Sequence, residues 1–207
     1  MRLRRQLWKL LAEGEQQGRY STQLPWPSIW LFAKLAYIAE QYGYRYGGLD
    51  PDYPRDHQPP QHVFYRLPDA AERTARTERA FPRAHSGGRL PGMFPWRAPL
   101  ITKPHARREV RLLHARIKVD YFGVLGWERM RGWLFVIPAV ILVMILVNGE
   151  FHTTGLLIGG GIALVLTALM ACSKAFMRLR HASYRRLLER EGIEWPPPAD
   201  IDRPGAR

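Results

Sequence analysis

Cysteine is almost missing from this chain of 207 residues: Cys172 stands alone. No disulfide can therefore form within it, and the paired Cys and His spacings of zinc sites do not occur. Lysine is scarce too, five residues against 26 arginines, and with the many alanines, glycines and prolines this bias points to a GC-rich bacterial coding sequence. Motifs that carry chemistry are also lacking. There is no GxSxG, P-loop, HExxH or strand-linked GxGxxG. The GGRLPG run at Gly87–Gly92 has neither the Lys nor the Ser/Thr that a phosphate loop requires. A further lack is charge: neither Trp133–Val147 nor Gly155–Cys172 contains Asp, Glu, Lys, Arg or His. A proton or ion relay built on ionisable groups inside those runs is thereby unsupported. The expectation is a non-enzymatic protein with no cofactor and no metal.

Those uncharged runs set the expected fold class. A bilayer core about 30 Å thick needs about 20 mostly apolar residues in a helix. Gly155–Cys172 reaches that length unaided, and Trp133–Val147 reaches it with Met130 and Gly132 included. The short connection between them carries Glu150 and His152 but no Lys or Arg, whereas arginines crowd both outer flanks. Positive residues stay on the cytoplasmic side. The expected protein is mainly α, with a two-helix transmembrane hairpin in the inner membrane, both termini cytoplasmic, amphipathic cytoplasmic helices and a long Pro-rich irregular segment. Trp127, Arg129, Arg131, Trp133, Lys174 and Arg178 are its expected interface anchors, because indoles and long basic side chains favour the headgroup level. Pro138 is expected to kink the first span. In the second, Gly155, Gly159, Ala163, Thr167 and Ala171 recur every four residues and form a ridge of small side chains against which another helix can pack.

The net charge of +13 and pI near 10.4 would point to nucleic acid in a protein without membrane spans. Here topology and anionic headgroups account for the flanking arginines, so nucleic acid is disfavoured as a partner. The N-terminal MRLRRQLWKLLAEGEQQ opens like a signal peptide, but Lys9 and Glu13 break its apolar core and no small-residue cleavage site follows. It is expected to remain as an amphipathic helix over residues 2–17, with Leu3, Leu7, Leu10 and Leu11 on one face, lying on a membrane or on its own domain.

The expected organisation is N-terminal cytoplasmic helices over residues 1–46, including a helix from Ile29 that is apolar nearly all round except at Lys34. A Pro-rich segment over 47–105 follows, holding ten of the 17 prolines. Its aromatics Tyr53, Phe64, Tyr65, Phe81, Phe94 and Trp96 are too many for a free linker, and are expected to anchor it on a partner or on its own helices. A short helix over 68–80 is credible there, with Asp69 at its start. Next come an amphipathic juxtamembrane helix over 106–129, spans over 130–148 and 155–173 joined by a short non-cytoplasmic loop over 149–154, a cytoplasmic helix over 174–192 and a disordered tail over 193–207. The densest set of titratable groups is Asp50, Asp52, Asp56, His57 and His62, but it lacks the Gly and terminal Glu of a calcium loop, and a solvated turn is expected. Tyr42, Tyr44, Arg45 and Tyr46 can stack on bases or headgroups, or close a core.

The function that follows is a two-pass inner-membrane subunit or assembly factor of a larger envelope complex, such as a secretion or conjugation machine. Its expected partners are the lipid bilayer and other membrane or cytoplasmic protein subunits, with a homo-oligomer open. The alternatives are an immunity or regulatory protein against a membrane-acting toxin and, behind it, a membrane-surface enzyme using the Asp50–His62 cluster.

Overall fold

The computed structural model describes residues 2–23, 28–50, 61–94, 101–124, 136, 139, 140, 143 and 153–196. Among them run α1 (Arg2–Gln17), β1 (Arg19–Gln23), α2 (Ile29–Gln41), β2 (Tyr44–Leu49), β3 (Gln61–Arg66), α3 (Ala70–Ala80), α4 (Pro104–Val124) and α5 (Thr153–Arg190). The chain divides into two units, one of Met1–Asp120 with Leu187–Arg207 and one of Tyr121–Arg186.

The first unit is built around α2. Ser28 caps it, its hydroxyl accepting from the Leu31 N–H at 3.3 Å, and the helix stops where Gly43 takes φ of +82°. Residues 32–39 are buried on every face, as expected for a helix apolar nearly all round. Leu3, Leu7 and Leu10 of α1 are buried in the same core while Trp8 is exposed, so the amphipathic N-terminal helix lays its apolar face on its own domain. Val110, Leu113 and Ile117 of α4 close the core at the positions its 3.6-residue period specifies. In α3, Asp69 makes no side-chain cap; its carboxylate instead accepts from Arg73 one turn on, at 2.7 Å.

The three strands form an antiparallel sheet in the order β1-β3-β2. Tyr20 faces Phe64 and Tyr46 faces Phe64 across the ladders, so one aromatic from each strand meets on a single face. A bulge lies between Tyr46 and Gly48. There, a Cβ on Gly47 would come within 2.3 Å of the Tyr65 ring, which explains a residue without side chain at that point.

The expected fold class is overturned in two respects. The region read as irregular Pro-rich chain, with the tail of the preceding helix, contains the strands β2 and β3 beside the short helix expected there, α3. Tyr44 and Tyr46 are buried while Arg45 between them is exposed, an alternation only a few residues long that flanking prolines and glycines obscure. Secondly, a transmembrane hairpin is not present among the described residues. One helix there, Gly160–Arg190 within α5, is long and apolar enough to cross a membrane. The expected first span (130–148) and loop (149–154) fall largely outside the described residues. The physical reason for the misreading is that two separate apolar runs each satisfy a length criterion, which says nothing of whether they pair. Moreover α5 runs unbroken from Thr153 to Arg190, so the apolar run and the basic helix after it are one rod.

Candidate functional site

Three features of the described residues bear on function: a buried polar network at the sheet, a cationic cleft between α2 and α4, and the bare surface of α5.

The network starts from Tyr46 on β2. Its hydroxyl donates to Asp120 Oδ2 at 2.8 Å and lies 2.7 Å from His62 Nδ1 on the neighbouring strand. Asp120, near the middle of α4's C-terminal half, accepts a second bond through Oδ1 from Trp195 Nε1 at 2.9 Å. The Trp195 ring stacks on Tyr46 with centroids 5.7 Å apart, and the Arg116 guanidinium lies over the same indole, 5.3 Å from its centroid. A tyrosine has one proton to donate. When it goes to Asp120, His62 Nδ1 must carry hydrogen and donate to the Tyr46 oxygen, which leaves Nε2 as a buried acceptor without a partner.

Burial dominates the titration of this cluster. It pushes Asp120 up to about 6 against the bonds from Tyr46 and Trp195, lowers His62 to about 4, and raises Tyr46 well above its ordinary value. His62 is fully enclosed, with the Phe32 ring 5.0 Å away. A group with no route to substrate cannot act as a general base; the cluster instead ties Trp195, far along the chain, to the sheet. Close by in the electrostatics, Glu40 is pushed up to about 7, chiefly by burial and against the pull of Arg116.

A raised acid pKa means that the folded state holds the proton more tightly than the unfolded chain. The stability contributed by protonated Glu40 is full below about pH 4.5 and is lost as pH rises through about 7. Glu40→Gln is therefore expected to exceed wild type in stability by on the order of 2 kcal/mol at about pH 8, and to match it at about pH 5. His62 has the opposite slope, losing stability as pH falls through about 4, but it is common to both proteins. Urea unfolding at the two pH values checks this; parallel pH profiles would sink it.

The cleft encloses about 580 Å³ and is lined by Trp30 and Lys34 of α2, Arg107 and Arg111 of α4, and Ile101 and Thr102 just before α4. Thr102 is set by a bridge to Met93, and its carbonyl accepts from Arg107 Nε at 3.3 Å. Lys34 is buried, which lowers its pKa. Trp30 is held edge-on by His114, centroids 4.7 Å apart.

The residues singled out from sequence are scattered. Of the aromatics, Phe64 is wholly buried in the core and Phe81 packs against it, Tyr65 is half-buried on β3, and Phe94 is exposed. Tyr53 and Trp96 lie outside the described residues, as do Trp127, Arg129, Arg131 and Trp133. Lys174 and Arg178 are on α5, where Lys174 is half-buried and Arg178 exposed. The small-residue ridge lies along α5; Ala163 and Thr167 are half-buried and Ala171 exposed, and the Thr167 hydroxyl donates to the Ala163 carbonyl at 2.8 Å. Of the titratable set, Asp50 accepts from Ser21 at 2.5 Å and His62 belongs to the network, while Asp52, Asp56 and His57 lie outside the described residues. Among the described residues no three His, Cys, Asp or Glu side chains converge on a point where a metal could bind.

Sequence reading missed Asp120, Trp195, Thr102 and the Arg107–Arg111 pair as site residues. For Asp120 the available signal was an acid in α4 at i+4 from Arg116; for the cleft it was Lys34, the one charge within the apolar run Ile29–Ala39. No family model matches the chain, and no curated protein or solved structure is similar to it.

Proposed function

We propose that this chain is a non-enzymatic subunit or assembly factor of a larger envelope complex, for example a secretion or conjugation machine, attached to the inner membrane through α5 and engaging other protein subunits through its folded unit. One observation carries the reading. The most apolar window of Gly160–Arg190 has a mean hydropathy of 1.7, and none of it is buried. Leu164, Val165 and Leu169 are among its exposed side chains. A continuous apolar surface of this kind is removed from water by lipid or by another apolar helix. The stretch from Gly155 to Ser173 is uncharged and, at about 1.5 Å per residue, about as long as a bilayer core is thick. Lys174, Arg178 and Arg180 follow it directly, which favours the C-terminal end of α5 on the cytoplasmic side. The Thr167 hydroxyl is satisfied within the helix, so the ridge through Ala163, Thr167 and Ala171 offers a smooth surface to a neighbour.

Membrane fractionation tests the attachment. The wild-type chain is expected in the pellet after an alkaline carbonate wash. Leu164→Arg combined with Leu169→Arg adds about 5–7 kcal/mol to the cost of insertion and is expected to move the protein to the supernatant. Wild-type protein in the supernatant would end the membrane reading. A native mass in mild detergent equal to one chain would end the complex reading.

A further inference from the structure

We propose that the outward face of α1, formed by Arg5, Trp8 and Lys9, docks on the surface of an anionic phospholipid bilayer, joined there by Arg83 and Arg89 of the turn after α3. This deepens the membrane reading above and rests on it for the nearness of a bilayer.

Leu3, Leu7 and Leu10 commit the inner face of α1 to the core, so the opposite face is what the helix offers a neighbour. Trp8 there is 56% exposed, and Arg5 and Lys9 are exposed beside it. An indole is most favourably placed at a boundary between water and hydrocarbon, its ring half immersed and its N–H within reach of water. Arg5 and Lys9 make no ion pair among the described residues, and as like charges one turn apart they repel. The first turn of α1 carries no acid, although its arginines stand at the positive end of the helix dipole. Helix stability does not account for this charge pattern. A layer of negative headgroups relieves both repulsions.

The second observation comes from a different element. The turn after α3 lies against the N-terminal half of α1, where Arg4 Nη1 donates to the Ala84 carbonyl at 3.3 Å. Arg83 and Arg89 flank that contact, and both are exposed. Arg83 holds φ of +57°, a strained conformation for a residue with a side chain. Its carbonyl accepts from the Ser86 N–H at 3.1 Å and from the Gly88 N–H at 2.6 Å, and a Cβ on Gly88 would sit 2.0 Å from the Pro82 carbonyl oxygen. The turn is therefore braced and presents its arginines from a fixed backbone. Residues 2–12 and 81–94 together hold Arg2, Arg4, Arg5, Lys9, Arg83 and Arg89 but no Asp or Glu. The chain has 18 acids, so the single sign is local to these two segments, and it complements an acidic leaflet. A face for single-stranded RNA would interleave several stacking rings, and this face of α1 presents one.

With the leucines committed to the core, the contact is shallow and largely electrostatic. The test reconstitutes the full chain into vesicles. Cys172 is the only cysteine, so Cys172→Ser with Ala12→Cys, one turn beyond Trp8, puts a single fluorescent label on this face. Brominated phosphatidylcholine mixed with phosphatidylglycerol is expected to quench the label, and brominated phosphatidylcholine alone is not. Salt at about 1 M, where the Debye length falls to about 3 Å, is expected to reverse the quenching. Arg5→Glu with Lys9→Glu, both on exposed side chains, is expected to lower the docked-to-free ratio about tenfold or more, and Trp8→Ser a few-fold. A chain that floats with vesicles of either composition while its label stays unquenched overturns this proposal and leaves the span reading standing. A chain that floats only with the anionic vesicles, with its label quenched, supports the docking face and removes the span. Failure to float with either overturns both. Quenching that survives the charge reversal, or a label that responds to single-stranded RNA and not to lipid, overturns the proposal as well.

Discussion

Alanine in place of Phe64 is expected to destabilise the first unit by about 3–5 kcal/mol. The side chain is completely buried on the middle strand of the sheet, with its ring centroid 5.8 Å from Phe32, 5.6 Å from Tyr46 and 6.4 Å from Tyr20. Truncation removes the transfer energy of the ring and leaves a void that three other aromatic rings, each held by its own element, cannot all move to fill. Phe64→Leu keeps most of the volume and should cost much less. Denaturant unfolding of the two variants beside wild type checks the order. A loss under about 1 kcal/mol for the alanine variant would show that this ring does not sit at the centre of the core. The same placement bears on function: an aromatic residue that reads from sequence as available to a partner is committed to its own domain.

Valine at Gly43 is expected to be at least as damaging, about 4 kcal/mol or more, for a reason that lies in the backbone. Gly43 follows α2 with φ of +82°, a region side chains rarely adopt and β-branched ones least of all. A Cβ there would sit 2.4 Å from Ala70 Cα and 2.8 Å from Ala70 Cβ, and a backbone atom cannot step aside as a flexible side chain can. The close approach is reinforced on both sides: Leu67 N–H donates to the Gly43 carbonyl at 2.9 Å, Thr74 to the Tyr42 carbonyl at 3.0 Å and Thr77 to the Gln41 carbonyl at 2.6 Å. Moving α3 away to admit a side chain would break these bonds. Gly160→Ala is the matched control, because nothing lies within 4 Å of its added Cβ and alanine is the better helix former by about 1 kcal/mol. Thermal unfolding is expected to show a large loss for Gly43→Val and none for Gly160→Ala; a Gly43→Val protein that melts with wild type would mean that α2 and α3 do not meet as described.

Much of the helical structure was legible because it rests on local periodicity. The apolar faces of α1 and α4, the all-round burial of α2, and the glycine stops at Gly43 and Gly192 each follow from spacing and from backbone sterics. The sheet was not legible. Its strands have five or six residues, and β2 is interrupted by Gly47 and Gly48 at the bulge, so the period of two is too short to stand out. Membrane topology was read too far, since hydropathy reports how apolar a run is and not which runs pair.

What the amino-acid sequence determined by itself is therefore local: where helices run, which faces are apolar, that α5 has an uncharged length fit for a bilayer, and that the chain is strongly basic. What only the tertiary structure decided is which distant groups meet. Tyr46 reaches Asp120 across 74 positions and Trp195 reaches it across 75, and Lys34 joins Arg107 and Arg111 around one cleft. Periodicity is a property of neighbours along the chain. The convergence of charges and buried hydroxyls comes from packing α2 against the sheet and α4, where hydrophobic burial fixes the positions and the polar groups follow.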